Sequence, residues 1–154
     1  RLRTFVRDNF GRILFGFAHG DVWCNDMIIR TDGSLCLIDW EWSDDDYPQG
    51  YDLLSLFLSV IEKSYNVAMG DSFQCLAEGH GKLEVNLRKA FQNFLRSLGY
   101  GDEEAFIFLV AFLLRIQFRI VQHQTFSIGE NERRYGELLS LILHDRLWLA
   151  PMFG

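Results

Sequence analysis

Residues 27–30 and 35–38 are two short apolar runs separated by Thr31-Asp32-Gly33-Ser34. An Asp-Gly between two such runs is a strong local hairpin signal, because Gly accepts positive φ at no steric cost. Closing that hairpin brings the residues just before the first strand, 21–26, beside those just after the second, 39–41. Both segments are acidic, so two carboxylate-bearing stretches that are apart in sequence become neighbours. Like charges held close are unfavourable unless a cation or a shared proton relieves them. The donors are oxygens with no accompanying His or Cys set, which favours Mg²⁺ over zinc.

The rest of the chain bounds the answer. Its 154 residues are 49% hydrophobic, enough to bury one substantial core and to be read as one domain. A net charge of −6 without a basic stripe argues against nucleic acid as a partner. Cys24, Cys36 and Cys75 form an odd set without metal spacing, which reads as reduced, mostly buried thiols in a cytoplasmic protein. The longest apolar run, residues 105–114, is too short to span a bilayer and is broken by Arg115, so no membrane partner is expected. Residues 2–17 read as one helix or strand. Helices are expected over 53–63, 83–98 (stopped by Gly99), 102 to about 124 with Asp102 as N-cap, and 132–147, with breaks at Gly70-Asp71 and Gly79 to Gly81.

The stretch from Phe17 through Leu54, FAHGDVWCNDMIIRTDGSLCLIDWEWSDDDYPQGYDLL, resembles the catalytic half of the aminoglycoside phosphotransferase and choline kinase-like family of the protein-kinase-like superfamily. The resemblance covers about a quarter of the chain. It implies an α+β, mainly helical fold, a kinase-like carboxy-terminal lobe spanning 1–154. A catalytic loop, hairpin and metal-binding segment would occupy 1–50, and a helical subdomain walling the acceptor pocket 51–154. The implied activity is phosphotransfer from ATP or GTP, with Mg²⁺, to a hydroxyl of a small molecule such as an aminoglycoside, a choline-like amine, a sugar or a polyol. By the same match Asp21 is the catalytic base and His19 braces its loop. Asp39, in Leu-Ile-Asp-Trp-Glu, holds the metal. Asp52 opens the next helix, where it can cap backbone N–H groups and brace the catalytic loop. The family's Asn, five residues beyond the base, is replaced here by Asp26, with Asn25 one residue earlier. The apolar strand that follows aligns best with Asp26 in the metal slot, and Asp is still a hard oxygen ligand.

Other side chains admit two readings. Glu41 is either a solvated strand-end charge or a support behind the metal ligands. Asp44-Asp45-Asp46 reads as an exposed acidic loop, and Trp23, Trp40 and Trp42 as packing aromatics, although Trp42 can also meet a cationic substrate through its ring face. Arg115, Arg119 and His123 share one helical face, read as polar and outward in preference to an anion-binding cluster. His80 and His144 read as loop or surface histidines. The kinases also need an amino-terminal lobe with a phosphate-covering loop and a Lys. The residues before His19 contain neither, so the chain is expected to be a piece of a longer enzyme that lacks this lobe and is inactive alone. Two other functions compete: a catalytically inactive kinase-like binding or scaffold module, and, more distantly, a metal-dependent hydrolase.

Overall fold

The Asp-Gly turn closes as its chemistry requires. Gly33 takes φ +82°, Gly33 N–H donates to Arg30 O at 2.9 Å, and the Asp32 carboxylate accepts Ser34 N–H at 2.8 Å. A computed structural model describes residues 2–123 together with 137 and 138. In chain order the elements are α1 (Leu2–Asn9), β1 (Phe15–Ala18), β2 (Met27–Ile29), β3 (Leu35–Leu37), β4 (Asp44–Pro48), α2 (Tyr51–Tyr65), α3 (Met69–Glu78), α4 (Lys82–Ser97) and α5 (Asp102–His123). Short 3₁₀ turns lie at Phe10–Arg12, Cys24–Asp26 and Trp40–Trp42. The architecture is α+β and mostly helical.

Among the described residues there are two small antiparallel sheets. β2 and β3 pair as Met27↔Leu37, Ile28↔Cys36 and Ile29↔Leu35. β1 and β4 pair as Phe15↔Pro48, Gly16↔Tyr47 and Ala18↔Asp44, with an irregularity between Gly16 and Ala18. Pro48 lacks an N–H, and the sheet has only two strands, so Pro48 lies on an edge strand, where a ladder tolerates it.

α5 lies at the centre of the core. Residues 105–113 are all buried, so this helix is apolar around its whole circumference. α2 presents Tyr51, Leu54, Leu58 and Ile61 on one face, and α3 adds Phe73 and Leu76. Phe91 of α4 meets Phe108 with ring centroids 5.5 Å apart, and Tyr51 meets Phe112 at 4.9 Å. Each fully buried Leu, Ile or Phe contributes roughly 1.5–3 kcal/mol. Ile13 and Tyr47 belong to the same core, so the β1–β4 sheet is packed onto the helices, whereas Ile28, Ile29 and Leu35 of the β2–β3 hairpin are exposed.

Four expectations are corrected. Residues 2–17 are not one element: the 3₁₀ turn at Phe10–Arg12 separates α1 from β1. Gly70-Asp71 is no break but lies in the first turn of α3, where Asp71 suits the positive helix end and Gly costs little. Asp44-Asp45-Asp46 is strand, not loop. Asp102 is the first residue of α5 rather than its cap, since the Gly101 carbonyl already accepts Ala105 N–H at 2.9 Å. The expected helix over 132–147 lies outside the described residues apart from 137 and 138, as does His144.

Candidate active site

His19 follows directly on β1 and is 1% exposed. Its backbone N–H donates to Asp52 Oδ2 at 2.8 Å, and the neighbouring Gly20 N–H donates to Asp52 Oδ1 at 2.9 Å. One carboxylate from the first turn of α2 therefore holds both amides immediately before Asp21. α2 itself has no side-chain N-cap, and Gly50 stands in that position. Asp52 thus spends its oxygens on the distant loop rather than on its own helix.

The His19 ring reaches the other acidic segment. Nε2 lies 2.7 Å from Ile38 O, and a carbonyl can only accept, so Nε2 carries the proton. Nδ1 is then the unprotonated nitrogen in the neutral ring. It is buried and has no hydrogen-bond partner among the described residues. The ring also packs on Trp40 at 4.6 Å. Such a ring is suited to fixing two backbones together. Gly20 is needed beside it: φ is +83°, and a Cβ there would sit 2.5 Å from both Trp42 O and Tyr47 Oη.

Ile38 also receives the hairpin's other end, because Ile38 N–H donates to Asp26 O at 3.0 Å. The backbones at Asp26 and Ile38 are thereby joined across the ladder, with Asp39 the next residue. Asp39 adopts φ 65°, ψ 60°, a left-handed conformation that Asp tolerates better than most residues but that still carries strain. It is exposed and introduces the 3₁₀ turn at Trp40–Trp42, in which Glu41 is also exposed. Trp40 donates its indole N–H to Leu37 O at 2.9 Å and stacks on Phe17. Trp42 is half-buried, and its carbonyl accepts the Tyr47 hydroxyl at 3.1 Å.

Asp21 and Asp26 are linked through one residue between them. Trp23 Nε1–H donates to Asp21 Oδ1 at 2.7 Å, and Trp23 N–H donates to Asp26 Oδ2 at 2.9 Å. The turn carrying them is fastened to α2 by buried Ser59, whose Oγ accepts Cys24 N–H at 3.2 Å and donates to Leu56 O at 2.8 Å.

Asp21, Asp26 and Asp39 thus come from loops tied to one another through His19 and Ile38. No group of three or more His, Cys, Asp or Glu side chains is arranged to hold a metal among the described residues. The donor chemistry of Asp26 and Asp39 nonetheless fits Mg²⁺, which takes one or two carboxylates and otherwise phosphate and water oxygens. The bond from Trp23 does not exhaust Asp26, since an ionised carboxylate offers about four lone-pair sites.

Arg115 corrects another expectation, because it does not face outward. Its guanidinium pairs with Asp44 Oδ2 at 3.0 Å and Asp46 Oδ2 at 3.3 Å, and lies 4.3 Å from the Tyr47 ring centroid. Residues 44 and 46 share a strand face, so one fork from α5 meets both. The Asp44 carboxyl is held below its ordinary range by Asp45 N–H first and Arg115 second. The side chains of Arg119 and His123 lie outside the described set.

No family model, curated protein or solved structure matches this chain. No helix among the described residues is long and apolar enough to cross a membrane.

Proposed function

We propose that this chain carries the catalytic half of a small-molecule kinase that transfers a phosphoryl group from ATP or GTP to a substrate hydroxyl. The observation that carries the reading is the double engagement of His19. Its amide is held by Asp52, and its ring by the carbonyl of Ile38, directly before Asp39. A base-bearing loop and a second acidic loop are thereby kept in fixed relation, which is what phosphoryl transfer by positioning requires.

In this reading the acceptor hydroxyl oxygen forms a bond to the γ-phosphorus while the bond from that phosphorus to the β–γ bridging oxygen breaks. The nucleoside diphosphate leaves, and the hydroxyl proton passes to the Asp21 carboxylate. Asp39 and Asp26 would hold Mg²⁺, which when bound offsets phosphate charge. Asp52 and His19 keep the loop in place. Glu41 and Trp42 border the acidic segment and are candidates for acceptor contact. A nucleotide-covering lobe is also required, so the assay uses the whole protein in which these residues occur.

The test is MgATP-dependent transfer to a panel of aminoglycosides, choline-like amines, sugars and polyols. Asp21→Asn should lower turnover about 10²-fold or more while MgATP binding changes little, because it removes the base and not the metal anchor. Asp39→Asn should weaken MgATP binding itself. Equal turnover in wild type and both variants would refute the assignment.

A further inference from the structure

Trp23 is half-buried, and its indole N–H lies 2.7 Å from Asp21 Oδ1. A donor two residues along the same loop would ordinarily swing with the backbone. Here the backbone at Trp23 is itself fixed, because its N–H is held at 2.9 Å by Asp26 Oδ2 and its carbonyl accepts Asp26 N–H at 3.0 Å. The next residue, Cys24, is pinned to Ser59 of α2. The indole therefore points at Asp21 from a rigid mount.

We infer that Trp23 is a positioning residue for Asp21, setting the rotamer of the carboxylate through a charge-assisted bond from its indole N–H, with Asp26 fixing the Trp23 backbone in turn. The inference rests on reading Asp21 as the base. An indole is suited to this task because it only donates, so it holds the carboxylate without competing for the acceptor's proton. Asp26 then has a role in the loop that is independent of any metal.

The variant is Trp23→Phe, which keeps most of the ring and removes the donor. Two measurements are made on the whole protein: kcat and KM for MgATP, and the ¹H–¹⁵N spectrum of the indole groups. Trp23→Phe should lower kcat about tenfold, as expected for one lost hydrogen bond to a charged group, while KM for MgATP stays within about twofold. In Asp21→Asn, the indole proton resonance assigned to Trp23 should move upfield as a neutral acceptor replaces the carboxylate. A thermal melt of Trp23→Phe within a few degrees of wild type excludes general unfolding as the cause. Should that variant unfold, the indole shift in Asp21→Asn decides alone. An indole resonance indifferent to Asp21→Asn overturns the inference, as does Trp23→Phe with wild-type kcat. A wild-type protein that transfers phosphate to no hydroxyl acceptor overturns the kinase reading and this inference with it, even where the indole shift persists.

Discussion

Replacing Asp52 by Ala deprives two amides, His19 N–H and Gly20 N–H, of bonds at 2.8 and 2.9 Å to an ionised acceptor. Bonds to charged groups contribute about 1.5–3 kcal/mol each, and removing the acceptor leaves both donors behind. Asp52 is only half-buried, so water can enter and recover part of that loss. The net destabilisation is about 2–4 kcal/mol. Asp52→Asn keeps one acceptor oxygen but turns an NH₂ toward the other amide, so about half of that loss is expected. Two assays are needed. Urea unfolding should show a lower midpoint with an unchanged slope, which identifies lost stability rather than a changed unfolded state. Native-state hydrogen exchange should show the His19 and Gly20 amides losing protection by about 30-fold in Asp52→Ala, the equivalent of 2 kcal/mol, before distant helices are affected. Amides that exchange within about threefold of wild type, with an unmoved midpoint, would refute the argument that this carboxylate holds the loop.

Gly20→Ala places a methyl 2.5 Å from Trp42 O and Tyr47 Oη at φ +83°, so both backbone strain and overlap act against it. A loss of about 3 kcal/mol in calorimetry is expected. The Glu84 carboxyl is held below its ordinary value of 4.5 by the Tyr65 hydroxyl first, then by its own backbone N–H, and also by Arg88. A depressed folded value means that its contribution is full above the unfolded value and is lost as pH falls through the folded one. Urea midpoints should therefore fall in wild type below about pH 4.5 and fall less steeply there in Glu84→Gln, where Asp44 still contributes a slope of its own.

The hairpin was legible because its determinants are local: two apolar runs and an Asp-Gly. Helices α2, α4 and α5 were legible for a similar reason, since the 3.6-residue stripe of α2 or the unbroken apolar run of α5 is written within one window. α3 was not, because Gly70-Asp71 at its start reads as a break. Nor was the pairing of β1 with β4. Asp is depleted in strands, and three in succession look like a loop until Arg115, 71 residues beyond Asp44, meets Asp44 and Asp46. The bracing role of Asp52 follows from the resemblance alone, because 33 residues separate it from His19 and no local periodicity links them. Trp23 looks like a packing aromatic in sequence. The signal that would have found it is an indole donor two residues from a carboxylate, followed three residues on by an Asp able to cap the turn.

Position 26 is where loop geometry and metal chemistry meet. Where the resemblance calls for Asn, this chain has Asp, and the bond it makes is to the Trp23 amide. An Asn side-chain oxygen could accept that N–H equally, so the turn itself does not discriminate between the two residues. What Asp adds is charge, on a segment whose backbone is joined through Ile38 to the one carrying Asp39. In the proposed reading, a charge that the turn does not need would raise the cost of the loop without a cation and increase what a cation gains by binding. Asp at this position therefore mounts Trp23 as an Asn would, and differs from Asn in its charge.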